Sequence, residues 1–354
     1  MSAKVINLIP ADAKEIKIAI AGMGKMGTYH LNALRQLAAG EIEDYYKGDI
    51  NYQLRKIRVC GICDNNPIHL KSFDGLKSFD NLQYLIKKCK PHIIIIATPT
   101  NTHKDFALEA LNYGIHTFVE KPIVTELSQF EQLKSLADEK GCRLMAGHVE
   151  RYNPVSIKII SLLKNASPAT DSYAFKRTQK HDVRITDDIL IDKVIHDLDL
   201  SQYFFDEIRD FKINNFKLVD GRVYEISLCL EHENGVKGNL FVSWLDEQQT
   251  KKRLVEIHQG GHIWKGNFVS KQLWVDDAEI KCQVDGMINP SNNQIKDELV
   301  DFISFCIDED SVKKITPLLS LEEISQSIKW LEKINLKIYR DLIPSNDTDR
   351  DCLK

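Results

Sequence analysis

Long apolar runs are what this sequence most lacks. No segment approaches the roughly 20 apolar residues that cross a bilayer. The stretch 5–10 near the start is too short for a secretory-signal core and is followed by charge. No membrane partner is therefore expected, and a cytoplasmic location is. A dominant charge is also missing. Lys and Arg number 47 against 51 Asp and Glu, a net charge of −4, and the basic residues are interspersed rather than blocked. That distribution argues against nucleic acid as a partner. Cysteine is sparse: Cys60, Cys63, Cys89, Cys142, Cys229, Cys282, Cys306 and Cys352 are scattered along the chain, which suits reduced thiols rather than a disulfide framework. Cys60 and Cys63 have the spacing of a redox or metal pair. They fall in an expected strand, however, where positions three apart point to opposite faces, so no function is assigned to them. Internal repeats and low-complexity segments are absent too.

What is present fits a soluble enzyme of two domains. The chain has 354 residues, 43% apolar and 28% charged, too long for one ordinary core and comfortable for two. The expected division is 1–147 and 148–354.

The first half alternates strand and helix. The run IKIAIA at 16–21 stops at Gly22, as a buried parallel strand would, and 26–39 then repeats apolar residues at helical spacing. Between them lies Gly22-Met23-Gly24-Lys25-Met26-Gly27. Such a loop lets backbone N–H groups and a helix N-terminus face a pyrophosphate where no Cβ intrudes. A second strand, 57–63, ends in Asp64, whose carboxylate would accept hydrogen bonds from ribose hydroxyls and repel a 2′-phosphate, favouring NAD over NADP. Asp64 lies 42 residues after Gly22, where about 20 to 25 is usual. The excess is assigned to a charged, tyrosine-rich insertion at 40–56. The alternation continues with a helix capped by Asp80 and running to 88, a strand at 92–97, a helix at 104–113, a strand at 117–120, a helix with a Ser128/Glu131 capping box, and a strand at 143–146. This predicts a doubly wound parallel sheet. Thr98-Pro99-Thr100, Glu120-Lys121-Pro122 and Gly147-His148 sit at the carboxyl ends of its strands, where ligands bind.

The second half changes period. After a helix at 153–163 and a loop at 164–171, two-residue alternation appears: Tyr224, Ile226, Leu228 and Leu230 share one face, as do Val236, Leu240, Val242 and Trp244. Further strands are expected at 172–177, 211–218, 253–258, 262–268 and 272–275, making an antiparallel sheet with one face left for solvent or a partner. Two helices follow, one with Ile295, Leu299, Phe302 and Cys306 on a stripe, the other at 320–339.

One further helix, 189–205, carries chemistry. Asp192, His196 and Asp199 fall at i, i+4 and i+7 on one face. An imidazole flanked by carboxylates has its tautomer fixed and its basicity raised, as a general base requires. The same triplet also suits a metal site lacking a fourth ligand, or simply a buried, hydrogen-bonded histidine. Lys121, at a strand end, could polarise a substrate hydroxyl or carry a proton, or could mark a solvated turn.

Taken together, Gly22 to Gly27, Ala97-Thr98-Pro99-Thr100-Asn101-Thr102-His103, Glu120-Lys121-Pro122 and Asp192-x3-His196-x2-Asp199 resemble the glucose–fructose oxidoreductase/inositol dehydrogenase family, in both domains and in the right order. The resemblance implies a Rossmann domain followed by an open-faced, mostly antiparallel sheet that commonly makes a subunit interface, hence a homo-oligomer. It implies NAD held by Gly22, Met23, Gly24, Lys25, Met26, Gly27, Asp64, Thr98, Pro99, Thr100, His103, Glu120 and Lys121. It makes Lys121, Asp192 and His196 catalytic, with a cis peptide at Lys121–Pro122 and no metal. The segment from Gly147 to Pro154 is similar to the G-H-x-E-R-F-N-P of dehydrogenases acting on UDP-N-acetylglucosamine, although Lys193 stands where small apolar residues are more usual. This implies oxidation of a sugar or UDP-sugar hydroxyl. His196, oriented by Asp192, would remove the proton with help from Lys121. His148, Arg151, Tyr152, Asn153 and Arg177 are the candidates for holding the sugar or its phosphates. Inositol or free-sugar oxidation, NAD-dependent glycoside hydrolysis and non-catalytic NAD binding are the competing functions.

Overall fold

Residues 6–10, 12–40, 56–73, 75–163, 169–183, 185–246, 250–282, 293–307 and 319–342 are described by the computed structural model. The insertion expected at 40–56 and the loop at 164–171 lie largely outside the described residues.

Alternating apolar residues build the first sheet. Its strands are β1 (Ile16–Ala21), β2 (Ile57–Cys63), β3 (Ser78–Phe79), β4 (Ile93–Ile96), β5 (His116–Glu120) and β6 (Leu144–Gly147), in the order β3-β2-β1-β4-β5-β6. Every pairing is parallel. Ile16, Ile18 and Ile20 of β1 face one core, while Ala19 and Ala21 face the other, so both faces need covering. Helices α1 (Lys25–Ala38), α2 (Pro67–Lys71), α3 (Leu82–Cys89), α4 (His103–Asn112) and α5 (Leu127–Lys140) connect the strands. The order reverses between β1 and β4, which opens a crevice at their carboxyl ends.

Three local expectations need correction. The register slips between Ile18 and Ala19 where β1 pairs β2. This bulge places Cys60 and Cys63 on the same face, in one core cluster, instead of opposite faces. Both remain free thiols; burial pushes each up to about 12, so neither is a reactive thiolate at neutral pH. Helix α3 is capped by Asn81, whose side chain accepts from Tyr84 N–H, and not by Asp80. Helix α5 starts one residue before Ser128 without a side-chain cap; the capping box of this chain is Ser320/Glu323.

The second sheet has eight strands: β7 (Thr170–Thr178), β8 (Ile208–Val219), β9 (Arg222–His232), β10 (Lys237–Ser243), β11 (Lys252–Gln259), β12 (His262–Asn267), β13 (Gln272–Val275) and β14 (Ala278–Ile280), ordered β14-β13-β12-β11-β7-β10-β9-β8. Only β7–β10 is parallel. Ile226, Leu228, Leu240, Val242, Val255 and Ile257 form its covered face, with Val155 and Ile159 of α6 (Pro154–Leu163) and Leu198, Phe204 and Phe205 of α7 (Ile195–Phe205) packed on it. The last helices tie the halves together. Leu299, Phe302 and Cys306 of α8 (Gln294–Cys306) join the core of the first sheet. Helix α9 (Leu321–Leu336) sends Ile324 and Ile328 to the first sheet and Trp330, Leu331 and Ile334 to the second.

Candidate active site

The glycine loop is shaped by clearance. Gly22 sits at φ +90°, and a Cβ there would meet the Ala97 carbonyl oxygen at 2.4 Å; one on Gly27 would meet the Gly22 oxygen at 1.8 Å. A Cβ on Gly24 would meet nothing within 4 Å. Gly24 therefore borders open space, and α1 begins just after it with no side-chain cap and no acidic residue in its first turn. Uncapped N–H groups beside such space suit a pyrophosphate. Asp64 closes the rim. Its oxygens accept from Met23 N–H at 2.6 Å and Asn66 N–H at 2.8 Å. His69 Nδ1 lies 3.1 Å from Asp64 Oδ2, and Arg58, at the other end of β2, is engaged with Glu15.

The other strand ends are tied to one another. Both ring nitrogens of His103 face carbonyl oxygens, those of Pro122 and Thr98, each at 2.8 Å, so this histidine pins two loops together. The Thr98 hydroxyl accepts from Thr102, and Pro99 contributes a carbonyl to the same group. Thr100 reaches across to Asp187 at 2.7 Å. Glu120 turns inward to His30 at 2.7 Å, with Met26 and Lys25 beginning the helix that carries His30. The Lys121–Pro122 peptide is cis.

Lys121 meets the second half of the chain at Asp192, donating to its backbone oxygen at 2.7 Å and to Oδ1 at 3.2 Å. Lys193 stands 3.0 Å from Oδ2. Burial alone would raise Asp192, but the two ammonium groups hold it below its usual range. Lys193 is pushed down to about 8, by burial above all.

This differs from the even helical face expected at 189–205. Residues Leu190–Val194 form a wide π-helical turn before α7 begins. A π turn takes up an extra residue, and the Asp192 carboxylate within it pairs with Lys121 and Lys193. Asp199 is claimed by other groups: Arg151 holds it through Nε and Nη2 at 2.8 to 3.1 Å, and His148 Nδ1 lies 3.4 Å away. His196 Nδ1 is buried with no hydrogen-bond partner. Burial, then Lys121, Arg177 and Arg253, push His196 well below its ordinary value. Its basicity is thus lowered, not raised, and the ring is neutral at physiological pH. Among the described residues no group of three His, Cys, Asp or Glu could hold a metal.

The candidates for holding substrate separate sharply. Arg151 is fully buried between Asp199, Glu323 and the face of Tyr203. Arg177 is buried on Asp197, with Glu150 beside it. Tyr152 donates to Asp301 at 2.5 Å, and Asn153 donates to the Phe268 carbonyl. In this structure the side chains of these four are engaged with the protein's own groups, unlike the open forks expected for holding a phosphate. His148, at the end of β6, stays at the cleft beside His196. Three residues given no site role from the sequence belong to the same place: Lys193, Glu150 and Arg253. The signal for the last is the run Lys251-Lys252-Arg253 at the entry to an alternating strand.

Residues 16–148 match the model of the oxidoreductase family with the NAD-binding Rossmann fold. The chain is 25% identical over 211 residues to UDP-N-acetylglucosamine 3-dehydrogenase of Acidithiobacillus ferrooxidans, covering 59% of this chain and 64% of that one. It is 31% identical over 149 residues to glucose-6-phosphate 3-dehydrogenase of Bacillus subtilis, covering 42% and 37%. The chain thus spans less than two thirds of either relative. The solved structure of the Acidithiobacillus enzyme superposes with a TM-score of 0.73 at 18% identity, over 91% of this chain and 97% of that one, so the two share a fold.

Proposed function

We propose that the chain, whose residues 16–148 belong to the NAD-binding Rossmann oxidoreductase family, is an NAD-dependent dehydrogenase that oxidises a secondary hydroxyl of a sugar or nucleotide sugar to a ketone. UDP-N-acetylglucosamine is the first substrate to try. The observation that carries this reading is the junction of Lys121 with Asp192, which joins the two halves at the carboxyl edge of the Rossmann sheet. The relatives support the substrate class, since both printed names are dehydrogenases of a phosphorylated sugar at position 3.

When bound, NAD supplies a hydride acceptor. The remaining work falls to the chain. Glycines 22, 24 and 27 and the start of α1 receive the pyrophosphate, and Asp64 receives ribose hydroxyls. Lys121, positioned by Asp192, donates a hydrogen bond to the reacting oxygen. His196, neutral because it is buried among cations, takes the hydroxyl proton. His148 lines the sugar. We also place the protein in the cytoplasm, as a homo-oligomer formed through the uncovered face of the eight-stranded sheet; light scattering in solution tests the latter, and a monomer would end it.

The decisive experiment mixes protein and NAD with UDP-N-acetylglucosamine, other UDP-sugars, glucose 6-phosphate, inositol and free hexoses, and follows NADH. UDP-N-acetylglucosamine should be oxidised. Clear turnover of inositol with none of any phosphorylated sugar would overturn the nucleotide-sugar reading. Sugar release without net NADH would point to hydrolysis.

A further inference from the structure

The cleft gathers more cations than its carboxylates neutralise. Glu150, fully buried, is shared by two guanidinium groups: Arg177 Nη1 at 3.4 Å, and Arg253 Nη1 in closer contact. Arg177 has a second carboxylate, Asp197, along its other edge. Arg253 has no second carboxylate pair among the described residues. A guanidinium offers five donors, yet Nε of Arg253 is buried without a hydrogen-bond partner, while 21% of the side chain remains open. Arg253 and Arg177 face each other across the β11–β7 pairing, so the repulsion between them is built into the register.

Lys251 extends the same patch. It is exposed and lies two residues before Arg253, immediately ahead of β11. Burial of its stem, then Arg253 and Arg177, lower its affinity for a proton, Glu150 opposes this, and Lys25 of the glycine loop adds to the lowering. On the other side Lys193 and Lys121 share Asp192. Among the described residues, Lys121, Lys193, Lys251, Arg177 and Arg253 therefore stand against Asp192, Glu150 and Asp197. Like charges this close repel unless an anion completes the set.

We infer that Arg253 and Lys251 form an oxyanion subsite of the cleft, which takes a phosphate or carboxylate group carried by the substrate. Arginine supplies directed donors for such a group, and lysine a point charge. The inference rests on the proposed sugar oxidation and goes past it by naming the substrate group that is read and the side chains that read it. Arg151 and Arg177, the arginines the motifs favoured, are excluded from that task by their own carboxylates.

Calorimetry on protein saturated with NADH tests this without turnover, because saturation keeps the probes out of the cofactor's pyrophosphate seat. UDP should bind at least tenfold more tightly than uridine. Lys251→Met should weaken UDP several-fold, and Arg253→Gln by tenfold or more, with uridine unaffected by either. Should Arg253→Gln fail to fold because Glu150 loses a partner, Lys251→Met, at an exposed position, still decides. A paired comparison of glucuronate with glucose covers the carboxylate source: a preference for glucuronate with none for UDP would assign the subsite to a carboxylate. UDP equal to uridine together with glucuronate equal to glucose would overturn the inference, as would a Lys251→Met protein that binds the preferred anion like wild type. Failure of the dehydrogenase reading looks different: no sugar yields NADH, while discrimination of the anion persists.

Discussion

The glycine loop and the helix carrying Asp192 and His196 meet at one cleft but are specified in different ways. The loop is a matter of backbone clearance: Gly27 allows the helix to pass the Gly22 carbonyl, and Gly24 leaves room above it. Those conditions are met within six residues. On the helix, the chemistry depends on which distant side chain claims each carboxylate. Lys121, 71 residues earlier, takes Asp192, and Arg151, 48 residues earlier, takes Asp199. A site made by the backbone is a local property. A site made by pairing of charges belongs to the whole fold.

The contrast can be broken at several points. The largest effect is expected at Arg151. Arg151→Met strands buried Asp199, which should cost roughly 3–5 kcal/mol in urea unfolding; a loss below about 1 kcal/mol would mean that the pair does not organise the helix. His196→Asn should lower kcat by about 10²–10⁴ while the melting temperature stays near wild type. Near-normal turnover would remove His196 from the chemistry. Gly27→Ala should cost roughly 1–3 kcal/mol through overpacking and abolish NADH binding followed by fluorescence. Gly24→Ala, made in parallel, should fold normally and weaken only NADH, so equal destabilisation by the two would defeat the clearance argument.

The smallest effect is a slope in pH. Lys193 is held down to about 8 when folded, against about 10.4 for a free lysine. Between these values the unfolded chain binds the extra proton, so stability should rise with pH from about 8 toward 10. Lys193→Met should flatten that rise by on the order of 1 kcal/mol. An unchanged slope would show that the ammonium is not confined beside Asp192.

The same division explains what could be read beforehand. Both sheets were legible because burial has a short period: Ile16, Ile18 and Ile20 against Ala19 and Ala21 in β1, and Ile226, Leu228 and Leu230 in β9. The glycine loop was legible because its clearance is set within a few residues. The bulge that turns Cys60 toward Cys63 was not, because it is a property of the pairing with β1 and leaves no mark in the alternation of β2 itself. The π turn at Leu190–Val194 was hidden likewise. A uniform helix would put Asp192 beside His196, whereas the structure pairs it with Lys121. The pairing of Arg151 with Asp199 and of Arg177 with Asp197 leaves no mark in the sequence, because an arginine near a cleft looks free until its carboxylate is found. Lys193 was visible as an oddity, yet its place on Asp192 needed the turn.

Helix α8 has a consequence for the making of this protein. Leu299, Val300, Phe302, Ile303 and Cys306 cover a face of the first sheet whose own strands are finished by Gly147. A chain emerging from a ribosome at about 5–20 residues per second exposes that face for the whole synthesis of the second sheet. The fragment 1–147 should therefore aggregate or need a chaperone. The half that is synthesised first waits on residues synthesised after the second sheet.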